Sequence, residues 1–244
     1  LIQNGSNEMA VAFVDPARIN SRLSADQIAK LANSNRPRVA ENGAIFSGAV
    51  RLSFPNLDSP YKGKMSEKEK FQLSGLWPHN AVKTLEDVLR TALQREYPNL
   101  TDPTIFMDRR SDKATIRDQG LCVNVKDGGY SPLKATYAGY VPGFPWFRAK
   151  SGFAVPCFQF VAGKPTIVLP ENIPAVFYSG CWVDVKLNLV KSTSAANPGV
   201  FFGLQGVVKL ADDNTLGGGS SASASDFAGA VVIEDPNAAG ADWD

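Results

Sequence analysis

Six aromatic side chains and two cations lie within residues 137–153, "YAGYVPGFPWFRAKSGF". No acidic residue occurs between Asp127 and Glu171, whereas Lys134 and Lys164 add to the positive charge of this window. A hydrophobic core needs aromatic rings, but it does not need acidic residues to be absent. A surface that accepts an aromatic and negatively charged ligand benefits from both features.

Alternation along "PWFRAK" places Trp146, Arg148 and Lys150 on one face of a predicted strand, opposite Phe147 and Ala149. Aromatic rings beside cations suit single-stranded nucleic acid. Each unstacked base can stack on a ring, which is worth about 1–3 kcal/mol, and each neutralised phosphate releases counterions. The alternative is that these rings fill a second small core or cover the ends of a barrel.

Two sets of residues are therefore candidates for binding a nucleic acid. The predicted stacking residues are Tyr137, Tyr140, Trp146 and Trp182. The predicted contacts to the phosphate backbone are Lys62, Lys64, Lys134, Arg148 and Lys150. We expect the rings of the first set to lie exposed to solvent along a cationic groove.

Catalytic chemistry has little support in the sequence. His79 is the only histidine, and no nucleophile motif or Walker A sequence accompanies it. The spacing of Cys122, Cys157 and Cys181 fits neither a disulfide framework nor a zinc site, so we expect no metal and no cofactor. Acidic residues do cluster in "MDRRSDKATIRDQG", at Asp108, Asp112 and Asp118. They leave open a metal-dependent nuclease as the alternative function, beside a plain surface mixture of salt bridges.

The elements that must position these residues are mainly strands. "AIFSGAVRLSF" alternates, with Phe46, Val50, Leu52 and Phe54 on one face and Arg51 and Ser53 on the other. "KFQLSGLW", "CWVDVKLNLV" and "GVFFGLQGVVKL" also alternate, and in the second of these Trp182 and Asp184 point away from the core face. One long helix is predicted over residues 80–97, with Asn80 as its N-cap, and Ser24 and Gln27 predict a capping box for a short helix. Many strands with one main helix indicate a small closed barrel or a sandwich.

Charge divides the chain unevenly. Residues 1–211 carry 25 basic and 17 acidic residues, net +8, whereas residues 212–244 carry seven acidic residues and no basic one. The run "GGGSSASAS" has the composition of a flexible linker. We therefore predict a peripheral N-terminal extension (residues 1–42), a binding domain (43–211), and a linker with an acidic tail (212–244). No apolar run approaches the roughly 18 residues of a membrane span, and the start "LIQNGSNEMA" lacks the pattern of a signal peptide.

The segments "YAGY…FRAKSGF", "FYSGCWVDVKLNLV", "GVFFGLQGVVKLADDNTLGG" and "SDF", with "SGAVRLSFPNL" before them, resemble a family of phage single-stranded DNA-binding proteins. The resemblance covers roughly residues 43 to 230 and does not extend to residues 1–42. It implies an OB-fold and sequence-non-specific binding of single strands, without catalysis, in phage DNA replication or recombination in the host cytoplasm. It also implies that the acidic tail contacts phage or host replication proteins and competes with DNA. The tail residues concerned are Phe227, Asp242, Trp243 and Asp244. No membrane partner is implied, and the oligomeric state is left open.

Overall fold

The computed structural model describes residues 15, 18–62, 68–98, 107–108, 125–127, 137–141, 144–192 and 199–217. Within these residues the strands are β1 (Arg38–Val39), β2 (Ile45–Phe46), β3 (Val50–Tyr61), β4 (Lys70–Leu76), β5 (Met107–Asp108), β6 (Val125–Asp127), β7 (Pro145–Ser151), β8 (Cys157–Val161), β9 (Lys164–Ile167), β10 (Trp182–Ser192) and β11 (Gly199–Ala211). The α-helices are α1 (Ala25–Ser34), α2 (Val82–Glu96) and α3 (Ile173–Val176). No helix in this described part of the chain combines the length and apolar character needed to cross a bilayer.

Five strands close into a ring. β3 pairs with β4, β4 with β7, β7 with β11, β11 with β10, and β10 returns to β3. The β7–β11 pairing is parallel and the other four are antiparallel. A closed ring leaves no free edge among its own strands. The predicted closed barrel is therefore confirmed, and the sandwich alternative is not the one adopted.

The barrel interior is filled by the inward-facing half of each alternating strand. Leu52, Leu73, Phe147, Val185 and Leu187 are all fully buried in one continuous hydrophobic cluster. These are the positions that the period-two pattern assigned to the core, because successive side chains of a strand point to opposite faces. β4 also carries Gly75, where an added Cβ would lie 2.3 Å from the Phe147 ring.

Helix α2 lies over this cluster, and its apolar stripe contributes Leu85, Leu89 and Leu93 to it. The predicted long helix is thus confirmed, and its apolar stripe packs on the core. Its predicted N-cap is wrong, because a 3-10 turn, His79–Ala81, precedes the helix and takes up Asn80. Ala81 then occupies the N-cap position, without a capping side chain.

The N-terminal segment lies outside the barrel and is anchored to it. The capping box of α1 is present, with the Gln27 N–H donating to Ser24 Oγ (3.2 Å) and the Ser24 N–H donating to Gln27 Oε1 (2.8 Å). Ile28 of α1 packs on Ala49 and Trp182. This helix therefore covers the outer face of β10, and that is why the indole of Trp182 is 0% exposed.

A buried ion pair joins both ends of the described chain to β3. Asp213 accepts hydrogen bonds from Ser21 Oγ (2.5 Å), the Arg22 N–H (2.8 Å) and Trp182 Nε1 (2.9 Å), and its carboxylate lies 3.5 Å from Arg51 Nη2. The Arg51 guanidinium also donates to backbone carbonyls, including those of Gly180 (3.1 Å), Asn214 (2.8 Å) and Ile19. Alternation placed Arg51 on the face of β3 opposite Leu52, and the side chain is buried there because this ring of carbonyls replaces its hydration.

Residues 212–217, which the sequence assigned to the linker and tail, are packed onto the barrel. Asp213 is buried, Asp212 pairs with Lys209 at 2.5 Å, and Leu216 is buried beside Trp146. Two of the seven acidic residues counted with the tail are thus engaged by the body. The remaining five lie in residues 218–244, outside the described residues.

Candidate nucleic-acid interface

The outer surface of β3, β4 and β7 forms one continuous face, which we call the β3–β4–β7 face. Residues directly opposite each other in antiparallel strands share a side of the sheet. The register places Gln72 opposite Lys150, Ser74 opposite Arg148, and Leu76 opposite Trp146. On the β3 side, Ser53 faces Ser74 and Asn56 faces Gln72. The sequence prediction that Trp146, Arg148 and Lys150 share a face is correct.

One end of this face is covered by a second small core. Leu76, Trp146, Tyr140 and Leu216 are all buried there, and the rings of Tyr140 and Trp146 meet edge to face with centroids 5.0 Å apart. The Tyr140 hydroxyl bonds Ser53 Oγ at 3.2 Å. Burial raises the pKa of Tyr140 above its usual value, and the hydrogen bond between the Tyr140 hydroxyl and Ser53 offsets only part of that rise.

The expectation that Tyr140 and Trp146 face solvent is therefore wrong. Each is only 3% exposed, because residues 137–141 and Leu216 fold over the end of the strands. The alternative that these rings fill a second core is the one realised. A ring so covered presents no face to a nucleobase in this conformation.

The other end of the face is open and positively charged. Lys70 and Lys150 are exposed and Arg148 is half-buried, and Arg148 lies with its guanidinium carbon 5.9 Å from the centroid of the Trp146 ring. Partial burial lowers the pKa of Lys150, and the nearby positive charges of Arg148 and Lys70 lower it further. These three positive charges on one open end favour the binding of a polyanion, since an anion placed among them relieves their mutual repulsion.

An exposed aromatic pair stands between the two ends. The rings of Phe54 and Tyr137 meet edge to face at 5.2 Å and are 43% and 44% exposed. The pairing of β3 with β4 shifts register between Ser53 and Asn56, and Phe54 adopts a left-handed φ of 48° there. Alternation alone had placed Phe54 on the core face of β3. The bulge turns its side chain away from the core.

Two further exposed rings border the open end. Tyr61 closes β3 opposite Lys70, with Lys62 exposed beside it. Phe153 lies two residues beyond the end of β7 and is 84% exposed. The open end thus carries rings and cations together, within the part of the chain that the structure describes.

The other predicted site residues lie elsewhere. Trp182 is fully buried between α1 and the barrel, and its N–H is satisfied by Asp213, so the expectation of an exposed stacking ring there is wrong. Lys64 and Lys134 lie outside the described residues, as do the tail residues Phe227, Asp242, Trp243 and Asp244. Tyr137, Lys62, Arg148 and Lys150 do lie on or beside the β3–β4–β7 face.

Sequence reasoning did not assign Phe54, Lys70, Tyr61 or Phe153 to the site. One signal for Phe54 was present, because Pro55 follows it and a proline within a strand marks a bulge or an edge. For Lys70 the signal was the alternation of β4, which puts it on the same side as Gln72. Tyr61 and Phe153 flank loops, where alternation gives no direction.

The acidic cluster of the alternative function falls largely outside the described residues: Asp112 and Asp118 are not described, and only the backbone of Asp108 is. Among the described residues, no group of three or more His, Cys, Asp or Glu side chains is arranged to hold a metal ion. His79 is exposed, and its ring meets that of Phe144 edge to face at 5.6 Å. Burial raises the pKa of both the Cys157 and Cys181 thiols to about 12, so neither is a thiolate at neutral pH.

The closed five-stranded barrel, with its parallel pairing of β7 and β11, places the chain in the OB-fold class. The predicted resemblance to phage single-stranded DNA-binding proteins is confirmed by a family model described as "Enterobacter phage Enc34, ssDNA-binding protein", which matches residues 154–237. No curated protein sequence matches the chain.

Solved structures of a phage protein share the fold. The single-stranded DNA-binding protein from bacteriophage Enc34 in complex with ssDNA is 18% identical, with a TM-score of 0.53, over 76% of this chain and 100% of that one. A second structure of the single-stranded DNA-binding protein from bacteriophage Enc34 is 17% identical, also with a TM-score of 0.53, over 78% of this chain and 98% of that one.

Proposed function

We propose that this chain binds single-stranded DNA, without sequence preference, in phage DNA replication or recombination, and that the β3–β4–β7 face is the binding surface. The observation that carries the proposal is the grouping of exposed rings with Lys70, Arg148 and Lys150 on that single open face. β4 and β7 are the second and third strands of the barrel, and these are the strands with which OB-folds bind oligonucleotides. The match of residues 154–237 to a phage ssDNA-binding family supports the binding of single-stranded DNA.

In this proposal, bases stack on Phe54 and Tyr137. Further bases stack on Tyr61 and Phe153 at the open end of the face. Exposed rings offer a π-face to any base, so binding of this kind is tolerant of sequence. Tyr140 and Trp146 act beneath them as a support. Because the Tyr137 ring lies 6.2 Å from Tyr140, and Tyr140 in turn packs on Trp146, the outermost ring is held in place by two layers of aromatic side chains.

Phosphate contacts fall to Lys62, Lys70, Arg148 and Lys150. Each phosphate neutralised on a single strand steepens the fall of log affinity with log salt by about 0.7. We propose that binding occurs in the host cytoplasm and involves no catalysis. Stoichiometric binding without cleavage, in the presence of magnesium or manganese, is the expected result with labelled single and double strands.

The acidic tail is proposed to contact replication proteins and to compete with DNA. The segment from which the tail extends is held against the barrel. Leu216 packs beside Trp146, and the Leu216 N–H donates to the Ser179 carbonyl at 3.0 Å. A tether starting there gives the tail an effective concentration in the millimolar range near the face. Deleting residues 226–244 should therefore tighten DNA binding at low salt, and unchanged or weaker binding by the truncated chain would discard this part of the proposal.

The test of the binding face is a titration of a fluorescently labelled oligo-dT, followed by anisotropy. Trp77, Trp146 and Trp182 are buried, so their fluorescence is a poor reporter of stacking. Tyr137→Leu should weaken binding by about 1–3 kcal/mol, whereas Tyr137→Phe keeps the ring and should leave affinity unchanged. Equal affinities for the Leu and Phe variants would refute the stacking role.

The cationic part of the face is tested by the salt dependence of the same titration. Arg148→Ala and Lys150→Ala should each reduce the log–log slope by about 0.7. Arg90→Ala is the matched control, because Arg90 is exposed on α2, away from this face. A slope that responds equally to all three substitutions would place the phosphate contacts elsewhere.

A further inference from the structure

The β8–β9 hairpin exposes an unusual amount of apolar surface. Every residue from 160 to 167 is exposed, including Phe160 at 53% and Ile167 at 60%. β9 takes its only pairing in the described sheet from β8, so the hairpin extends beyond the barrel. Contiguous exposed apolar surface of this kind marks an interaction site.

The apolar side chains of the hairpin lie mainly on one side. The register pairs Phe158 with Ile167 and Phe160 with Pro165, and directly opposed residues share a side of the sheet. Cys157, which precedes Phe158, points into the barrel core, so this side is the outer one. Its residues, Phe158, Phe160, Pro165 and Ile167, are called the hairpin face below.

The hairpin face continues the outer surface of β7. Strand β7 pairs Lys150 with Gly203 of β11, in parallel. Strand β8 pairs Phe158 with Val208 of the same strand, again in parallel. In both β7 and β8 the preceding residue lies in the core, so Lys150 and Phe158 point to the same outer side of the barrel wall. Five residues of β11 separate the two pairings, which puts them about 15 Å apart along the strand.

Polar and cationic side chains occupy the interval between these two points. Gln205 of β11 is exposed there. A Cβ on Gly206 would lie 3.8 Å from the Lys186 Cβ and 3.7 Å from the Pro156 carbonyl oxygen. Lys186 of β10 therefore stands beside the segment that leads into β8, and its side chain is only partly buried.

The charges around the hairpin face favour an anionic partner. The whole hairpin lies in the stretch between Asp127 and Glu171 that holds no acidic residue. On the outer side of β10, Asp184 is buried and pairs with Arg38 at 2.8 Å, so its charge is compensated. Exposed rings beside cations suit a single strand of nucleic acid, whose bases stack and whose phosphates are neutralised.

We propose that the hairpin face is a second contact for single-stranded DNA, on which bases stack after the strand has passed Lys150 and Lys186. This inference rests on the function proposed above and extends its surface beyond the β3–β4–β7 face. Phe160 offers an exposed ring to a base. Phe153, in the connection between β7 and β8, is 84% exposed. A strand that follows β7 toward β8 therefore meets cations and exposed rings in turn.

The test is the affinity of the full-length chain for fluorescently labelled oligo-dT of two lengths, about 5 and about 15 nucleotides, near the two ends of the range of OB-fold sites. Phe160→Ser should weaken binding of the longer strand by about five- to a hundredfold, as for one lost stacked base. It should leave the shorter strand unaffected, because that strand does not reach both surfaces. Phe160→Tyr keeps a ring and should bind both lengths like the wild type.

A matched control and a second measurement come from the same titrations. Val161 is 52% exposed on the other side of the same hairpin, so Val161→Ser should change neither affinity. Lys186→Ala should reduce the log–log salt slope by about 0.7 for the longer strand only. Tyr137→Leu, in contrast, should weaken both lengths, because Tyr137 belongs to the β3–β4–β7 face.

Three results would overturn the inference. The first is equal affinity of Phe160→Ser and Phe160→Tyr for the longer strand. The second is an equal loss for both lengths in Phe160→Ser, which would make Phe160 part of the first contact. The third is a wild-type mass that rises with protein concentration in ultracentrifugation without DNA and no longer rises in Phe160→Ser, with oligo-dT affinity unchanged, which would assign the hairpin face to a second copy of the chain.

The failure of this inference is distinguishable from that of the proposed function. A wild-type chain that binds neither length of oligo-dT refutes the proposed function. A wild-type chain that binds both lengths, with no response to Phe160→Ser, refutes the second contact alone.

Discussion

Substitution of Asp213 by alanine should destabilise the fold more than any other change of an acidic residue in the described C-terminal segment. Asp213 accepts hydrogen bonds from Ser21, Arg22 and Trp182 and pairs with Arg51, whose side chain is fully buried. Removing one partner of a buried ion pair leaves an uncompensated charge, which costs about 3–5 kcal/mol. For a chain of this size each kcal/mol lowers Tm by about 2–4 °C, so we expect a fall of roughly 6–20 °C.

The assay is thermal unfolding followed by circular dichroism, with urea unfolding as the second measure. Asp212→Asn is the matched control: this neighbouring acid is half exposed and pairs with Lys209, and such surface pairs contribute only about 0–1 kcal/mol. Replacing both buried partners, with Arg51→Met and Asp213→Leu together, should recover part of the loss, because no charge then remains buried. If Asp213→Ala lowers the free energy of unfolding no more than Asp212→Asn does, the buried ion pair is not what holds the two chain ends to β3.

The same carboxylate should give the stability a pH dependence of known sign. Burial alone raises the pKa of Asp213, but the hydrogen bonds from Ser21, Trp182 and the Arg22 N–H outweigh it, and the pKa falls below 3.8. A lowered folded-state pKa contributes stability that is present above the unfolded value and is lost as pH falls through the folded one. The difference in free energy of unfolding between wild type and Asp213→Ala should therefore become smaller below about pH 3.8. Near neutral pH this difference should not change with pH.

Three other substitutions or treatments have expected outcomes. Gly75→Ala should cost about 1–3 kcal/mol in urea unfolding, because its Cβ would lie 2.3 Å from the Phe147 ring; a neutral result would mean that this ring moves freely. Ala162→Asn should raise Tm, with a gain of about 1 kcal/mol, since asparagine tolerates the left-handed φ of 48° better. Cys157 and Cys181, with pKa values of about 12, should resist iodoacetamide at pH 8 in the native state and react once unfolded, as read by peptide mass mapping; native alkylation of either would contradict their burial.

Alternation in the sequence was enough to predict a closed barrel or a sandwich, and the resemblance to a phage family pointed to the barrel of an OB-fold. Alternation identified the inward residues of β4, β7 and β10, because in a strand each side chain has only two possible directions. In β11 it held as far as Leu204; beyond the register shift that follows, Val207 is in the core and the expected Val208 is not. The helix and the Ser24–Gln27 capping box were also predictable, since both depend on short-range spacing. The division of the chain at residues 42 and 211 remains a prediction.

Alternation does not say whether the outer face of a strand meets water or a further layer of protein. Trp146 and Trp182 were correctly placed outside the barrel and are nevertheless buried, one under Tyr140 and Leu216 and the other under α1. Leu216 and α1 lie far away along the chain from the rings that they cover, and pairwise spacing carries no information about them. Phe54 was misplaced for a different reason, because a bulge shifts the two-residue period by one.

The position of β11 in the ring has a consequence for synthesis. It is the last strand of the barrel in chain order, and it pairs with both β7 and β10. While the protein is being translated, β7 and β10 each lack a neighbour until residue 211 has left the ribosome, and Arg51 lacks Asp213 for slightly longer. The nascent chain therefore carries unpaired strands, which are prone to aggregate, until β11 emerges, and it acquires the native barrel topology only in the cooperative step that follows.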